Sequence, residues 1–410
     1  MKHPITFARE TKIRPALSVV FNQLLYKLRE MSYDITALSL GEAFFELPFY
    51  GFEKIDIESG FHYSDSRGVA VLRHKISELY KKSYSGTFDA NSQIIITPGS
   101  KIAIYMAMLN VLQKGDKVAI FEPAWVSYRE QLELCEAKYQ FIPLVGETSP
   151  EIHINEDIRL VILNNPNNPA GYNMPKEVLE RILQRCINIG AYLLVDEAYS
   201  DFVDEKNFSS ALSLGSSIEN LIIVNSLSKN LGMSGWRIGY IISSKNFIDS
   251  LLRIQQNLIT CTPTLLQLYV AKYLDDLIEI TKPQIAEVVR KRRRVMNHLE
   301  KLGIETMGGD STFYIFLNVN SLGVKTNVVL YCLNLLLNFD ICVVPGLAYG
   351  LSTENYIRIS VGTESEERII ESITTMQLAA KDLPTKEQII ELMKRLDLGE
   401  FDWDLWCPSL

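Results

Sequence analysis

The sequence predicts an α/β fold: a large domain on a mostly parallel seven-stranded sheet sandwiched by helices, plus a smaller α+β domain. Three observations carry that expectation. From about residue 90 to 245, short apolar runs alternate with longer helix-like patterns. From about 290 to 380 the rhythm changes to a few strands set between long helices. And the polar signatures collect where the apolar runs end, which is where parallel sheets hold their ligands.

In chain order, strands are expected at Gln93–Thr97, Lys117–Phe121, Tyr139–Leu144, Arg159–Asn164, Tyr192–Val195, Leu221–Asn225 and Arg237–Ile242. Helical periodicity fills the intervals, as at Ala103–Val111, Val126–Leu134 and Lys176–Asn188. In the second region a long helix precedes Phe313–Val319, another precedes Ile341–Val344, and Tyr356–Val361 leads to a last helix. The segment 383–410 reads as appended: an amphipathic pattern over Lys386–Leu396, then Phe401-Asp402-Trp403-Asp404-Leu405-Trp406, aromatics that should dock on something.

Composition narrows the function classes. The 410 residues are 47% apolar and 22% charged, ordinary for a globular enzyme. A net charge of -8 argues against broad binding to nucleic-acid backbones. The basic run Arg290-Lys291-Arg292-Arg293-Arg294 lies in a helical pattern and reads as a solvated helix face. Cysteines 135, 186, 261, 332, 342 and 407 are scattered, which suits reduced core residues in a cytoplasmic protein. Five dispersed histidines make a zinc site improbable, so no metal is expected. Met1–Ile5 leads into charge rather than a signal-type apolar stretch, and no segment approaches a bilayer span.

The most informative stretch runs from Asn225 to Arg237. Lys229 follows the apolar run Leu221–Val224, with hydroxyls at Ser226 and Ser228 before it and Arg237 after it. An amine at a strand's polar end, among groups suited to a phosphate, is what pyridoxal phosphate (PLP) requires. The amine forms a Schiff base with the aldehyde while hydroxyls and a guanidinium hold the dianion. Asp196 closes another apolar run, and a carboxylate against the pyridine nitrogen favours the protonated ring that accepts electrons from the substrate. Tyr199 follows three residues on. Thr97-Pro98-Gly99-Ser100-Lys101 ends a strand and opens a helix, a place where backbone amides attract phosphate. Trp125 could stack a flat ring, although a lone tryptophan is more often core.

Together these pieces resemble the aspartate aminotransferase family of class I/II, fold type I PLP enzymes, over roughly residues 14 to 380. The motifs are Ser226-x-Ser228-Lys229 through Gly235-Trp236-Arg237-Ile238-Gly239-Tyr240, with Asn167-Asn168-Pro169-x-Gly171 and Asp196-x-x-Tyr199 in the family's order. The resemblance implies a large PLP-binding domain at 46–289, a discontinuous small domain from 1–45 and 290–382, and a C-terminal extension at 383–410. It implies that Lys229 holds PLP and then shuttles the α-proton, that Asp196 pairs with the pyridinium, and that Asn168 and Tyr199 contact O3′. Trp125 would stack on the ring, while Gly99, Ser100, Lys101, Ser226, Ser228 and Arg237 would surround the phosphate. Arg358 matches the arginine that clamps the substrate α-carboxylate, with Gly41, Asn168 and Trp125 beside it. Tyr63 matches a tyrosine reaching the neighbouring subunit's phosphate, which implies a homodimer with shared sites. The tail is expected to dock against that dimer.

Two departures stand out. Ala170 replaces the family's threonine, and Gly41-Glu42-Ala43-Phe44-Phe45 replaces the usual Gly-Glu-Pro-Asp-Phe, putting substrate preference in doubt. The expected reaction is transamination between an L-amino acid, with glutamate or aspartate favoured as donor, and a 2-keto acid. The alternative is a β-eliminating lyase of the same fold. Lys101 either meets a distal substrate carboxylate or only neutralises phosphate. A non-catalytic regulator would carry an extra N-terminal domain, for which no room precedes residue 14. A dehydrogenase would need a Gly-x-Gly-x-x-Gly after a strand, and none is present.

Overall fold

The computed structural model describes residues 13–203, 208–215 and 218–407. Met1–Ile5 and the last three residues of the tail lie outside them. The central sheet comprises β1 (Ile94–Thr97), β2 (Lys117–Glu122), β3 (Lys138–Pro143), β4 (Ile158–Asn164), β5 (Tyr192–Asp196), β6 (Leu221–Ser226) and β7 (Gly239–Ser243). Their order is β1-β7-β6-β5-β4-β2-β3. Only β7 runs antiparallel to its neighbours, β1 and β6; the other pairs are parallel.

Alternate residues of each strand face opposite helical layers, so the strands read as continuous apolar runs. Ile96, Phe121, Leu163, Val195 and Ile223 pack with helices Ala70–Ser83, Lys176–Ile189 and the first half of Thr264–Lys301. Ile95, Ile120, Ile162, Leu194 and Val224 pack with Ser100–Val111, Ser127–Leu134 and Lys245–Leu258. Most boundaries fall within a residue or two of the sequence reading. Arg237, expected to start the last strand, instead follows the turn Ser234–Trp236 with a left-handed φ of 56°. The register then aligns the polar strand ends: Asn164 opposite Asp196, Asp196 opposite Val224, and Gly239 opposite both Ser226 and Thr97.

A three-stranded antiparallel sheet lies C-terminal to this: β8 (Tyr314–Asn318), β9 (Val344–Pro345) and β10 (Tyr356–Ser360), in the order β9-β10-β8. The single strand expected at Ile341–Val344 is split. Ile341–Cys342 pairs with Thr36–Ala37, while β9 pairs with β10. One core joins these strands to helices Leu17–Glu30, Val328–Phe339, Glu366–Ala379 and the end of Thr264–Lys301.

The basic run needs a correction. Arg290 and Arg294 do face solvent, pairing with Glu287. Arg292 is only 2% exposed: its Nε donates to the Tyr314 carbonyl at 2.6 Å and its Nη1 to the Gly309 carbonyl at 2.9 Å. At 3.6 residues per turn it falls on the stripe of Val288, Val289 and Val295, beneath the small sheet. The tail packs down on the small-sheet core. Helix Lys386–Arg395, started by a capping box at Thr385 and Gln388, buries Ile389 and Met393, and Leu398, Phe401 and Trp406 complete the contact. All join the small-sheet core, so the tail docks on its own chain. Among the described residues no helix is long and apolar enough to cross a membrane.

Candidate active site

The site assembles at the carboxyl ends of β4, β5 and β6. Asp196 is the last residue of β5 and is buried. Its Oδ2 accepts the Tyr128 hydroxyl at 2.8 Å and its Oδ1 the Ala198 amide at 3.2 Å. Burial pushes its carboxyl up to about 6, against the pull of those bonds and of the Lys229 charge. A carboxylate in this setting favours a cationic partner. Tyr128 was not singled out from sequence; only the position of helix Ser127–Leu134 beside β5 makes it a ligand of the acid.

Next to it, the loop after β4 is pinned at both ends. Asn164 Nδ2 donates to the Asp196 carbonyl at 2.8 Å, and the Asn168 amide donates to Asn164 Oδ1 at 2.6 Å. Asn168 Nδ2 donates to the Tyr199 hydroxyl at 3.1 Å, and that hydroxyl lies 3.1 Å from the Tyr314 hydroxyl. Ala170 is fully buried, its amide donating to Asn167 Oδ1 at 3.0 Å, so the turn keeps its shape without a threonine hydroxyl.

Lys229 sits in the four-residue helix Leu227–Asn230 after β6, capped by Ser226, whose hydroxyl accepts the Ser228 amide at 3.1 Å. The Lys229 amine donates to the Gly41 carbonyl at 2.5 Å. Burial, reinforced by Arg237, Arg358 and Lys101, lowers its pKa to about 8 despite the counteracting charge of Glu42. Such an amine is available as nucleophile and base near neutral pH. A polar network behind the helix fixes it. Asn230 and Asn225 both donate to the Ser200 hydroxyl at 3.2 Å, and Asn225 also donates to the Tyr80 hydroxyl at 3.2 Å. Tyr80 in turn reaches the fully buried Glu197 at 3.4 Å. Glu197 accepts the Ser210 hydroxyl at 2.9 Å and the Ala211 amide at 2.7 Å, and burial pushes it up to about 7.

A cationic cradle lies beside the lysine. Gly99, with φ of 88°, precedes helix Ser100–Val111, and a Cβ there would stand 2.4 Å from Arg237 Nη2. A Cβ on Gly239 would meet the Gly99 carbonyl carbon and the Ser100 amide at 2.7 Å, so only glycines let β7 and this helix start approach so closely. Arg237 donates to the Ser234 carbonyl at 2.7 Å and to the Ser228 hydroxyl at 3.5 Å. The exposed Lys101 amine lies 5.2 Å from the Trp125 ring centroid, held below its ordinary pKa by desolvation and then by Arg237. Amides at a helix start, hydroxyls and converging cations are a donor set for a dianion.

Arg358, in β10, is 4% exposed. Its Nη1 donates to Asn168 Oδ1 at 3.2 Å and its Nη2 to the Ser39 carbonyl at 2.6 Å, and its guanidinium carbon lies 4.3 Å from the Tyr314 ring centroid. The structure therefore brings Gly41, Gly99, Ser100, Lys101, Trp125, Asn168, Asp196, Tyr199, Ser226, Ser228, Lys229, Arg237 and Arg358 into linked surroundings. Tyr63 stands apart, 85% exposed. Tyr128, Tyr314, Glu197 and Arg292 are additions that no sequence motif marked.

Comparison with known proteins identifies the family. The family model for aminotransferase class I and II matches residues 52–373. A (5-formylfuran-3-yl)methyl phosphate transaminase from Methanocaldococcus jannaschii is 32% identical over 84% of this chain and 91% of its own length. An aspartate aminotransferase from Pyrococcus horikoshii is 30% identical over 87% of this chain and 93% of its own. Among solved structures, a Methanococcus jannaschii protein described as similar in its active site to kynurenine aminotransferases superposes with a TM-score of 0.79. It is 29% identical and covers 91% of this chain and 100% of its own. The chain belongs to the class I and II aminotransferases, a generally PLP-dependent family.

Proposed function

We propose that this aminotransferase uses PLP to move an amino group between an L-amino acid, with glutamate or aspartate as the favoured donor, and a 2-keto acid. The observation that carries this reading is the placement of one depressed-pKa lysine among three partners: the buried acid Asp196, the cationic cradle around Gly99 and Arg237, and the arginine Arg358. The residues fit the cofactor. The buried Asp196 carboxylate suits a protonated ring nitrogen, the Asn168–Tyr199 pair suits a phenolate oxygen, and the start of helix Ser100–Val111 with Arg237 suits the phosphate. When bound, the cofactor supplies an electrophilic aldehyde and an electron sink for the substrate α-carbon.

The chain's own residues do the rest. Asp196 holds its negative charge against the ring nitrogen, and Tyr128 keeps that carboxylate oriented. Arg358 binds the substrate α-carboxylate and so fixes which α-bond faces Lys229. The Lys229 Nζ takes the α-proton and later returns it. Lys101, over the Trp125 ring, supports an acidic donor, because a primary amine there could meet a distal carboxylate.

The same reading divides the chain into a large domain at 46–289 and a small one from 1–45 and 290–382, which close over the substrate. It also makes the working unit a homodimer. Phe49 at 87%, Phe61 at 75% and Tyr63 at 85% exposure leave a contiguous stretch of sequence with aromatics uncovered, which a second copy would bury. A half-reaction screen tests the function: the PLP-loaded protein is mixed with each amino acid while visible absorbance is followed. Conversion by glutamate or aspartate is expected. Keto acid and ammonia released without any acceptor would overturn transamination in favour of elimination.

A further inference from the structure

We propose that the Tyr349 hydroxyl is a second donor to the substrate α-carboxylate, working beside Arg358. Tyr349 is 1% exposed, and its hydroxyl and the buried Arg358 Nε find no partner apart from the contact between the guanidinium and that hydroxyl. The two groups are neighbours, the guanidinium carbon lying 5.3 Å from the Tyr349 ring centroid. A guanidinium only donates, so this contact leaves the Tyr349 proton without an acceptor, and a buried donor beside a cation points to an anionic acceptor that both can serve. The other nitrogens of Arg358 already serve Asn168 and Ser39, and the nearby hydroxyls of Tyr199 and Tyr314 already lie within reach of each other. A carboxylate, with two oxygens and several lone pairs, matches one cationic and one neutral donor.

The ring is held for this task. It packs edge-on against Phe316 at 5.7 Å, and the Tyr349 carbonyl accepts the Ala124 amide at 2.8 Å, tying it to the loop that presents Trp125. Burial pushes the phenol well above its ordinary range, so it stays a proton donor at any physiological pH. No motif marked this residue; it becomes visible only because the turn Gly346–Tyr349 folds back against the loop after β2.

The inference rests on the reading of Arg358 as the carboxylate arginine, and the test separates the two. PLP-loaded parent, Tyr349→Phe and Arg358→Lys are titrated with 2-methylaspartate and 2-methylglutamate, which lack the α-proton and so bind without turnover. β-Alanine and 4-aminobutanoate, which lack the α-carboxylate, serve as controls, and visible absorbance reports binding. Tyr349→Phe should weaken binding of the 2-methyl acids by roughly tenfold to a hundredfold, as expected for a lost bond to a charged group. Binding of the two control amines should not change. Thermal stability of the cofactor-free Tyr349→Phe protein should change only slightly, because the contact with Arg358 is lost while a proton without an acceptor is removed. Unchanged binding in Tyr349→Phe alongside weakened binding in Arg358→Lys would overturn the proposal and leave Arg358 in its role, the hydroxyl then meeting a buried water only. Unchanged binding in Arg358→Lys would overturn the carboxylate reading itself. A drop in stability in Tyr349→Phe, with equal losses for amines and acids, would make the hydroxyl structural and overturn the proposal.

Discussion

At the scale of single residues, the site works by placing charge where burial makes it costly. Asp196 is raised to about 6 from 3.8 and Glu197 to about 7 from 4.5, both chiefly by burial. Between roughly pH 4 and 7 the unfolded chain has released these protons while the folded chain keeps them. The unfolded state then binds fewer protons, so these two groups make stability fall as pH rises through that window. The cofactor-free parent should therefore lose stability relative to Glu197→Gln over this range, a difference read by chemical denaturation at each pH. Equal curves for the two proteins would contradict the burial account. Asp196→Asn keeps the shape but removes the charge; we expect activity to fall about a hundredfold or more, as when a preorganised electrostatic partner is lost, with a normal circular-dichroism spectrum. Lys229 has the opposite sign. Its value of about 8 lies below 10.5, so the fraction of neutral amine, and with it the rate at which the protein captures added PLP, should rise with pH through about 8.

Elements explain why those residues meet. Lys229 rides a single helical turn that Ser226 caps and Asn230 anchors to Ser200, so the short helix is held by polar bonds more than by its own propensity. Gly99→Ala forces a side chain into a left-handed φ and against Arg237. We expect a loss of about 1–2 kcal/mol in stability and weaker PLP affinity, measured by fluorescence titration. The tail offers a cleaner packing test. Trp406 is 4% exposed in the core shared with helix Val328–Phe339, so Trp406→Ala should cost about 3–5 kcal/mol. A change under about 1 kcal/mol in denaturant unfolding would show the tail to be loosely applied. Legibility followed the same division. The seven strands were readable because β-branched runs such as Ile94-Ile95-Ile96 sit between helical periods, Asp196 because it closes such a run, and Lys229 and Asn168 because they follow one within a few residues. Tyr128 and Tyr349 were not readable: the partner of Tyr128 lies 68 residues away, and Tyr349 meets Arg358 only because the chain turns back between them. Arg292 was misread because a charge run masks which member lands on the apolar stripe.

For the whole molecule, the two sheets matter less for what each holds than for what they jointly enclose. Asn168 after β4 and Arg358 in β10 bond across 190 residues, and Lys229 reaches the Gly41 carbonyl across 188. The proposed substrate and cofactor groups are thus brought together from distant parts of the chain. In the proposed dimer the exposed Tyr63 would add a third contribution, to the site of a second copy. Sedimentation should find a dimer, and Tyr63→Ala should weaken PLP binding without dissociating it; a stable monomer with full activity would contradict the shared site. The central claim is that one lysine among these groups carries the cofactor. The direct measurement is borohydride treatment of the PLP-loaded protein, which turns a lysine–aldehyde linkage into a stable secondary amine, followed by peptide mass mapping. We predict a single adduct on Lys229. An adduct on another lysine, or none in a protein that still shows the cofactor's absorbance, would contradict the account.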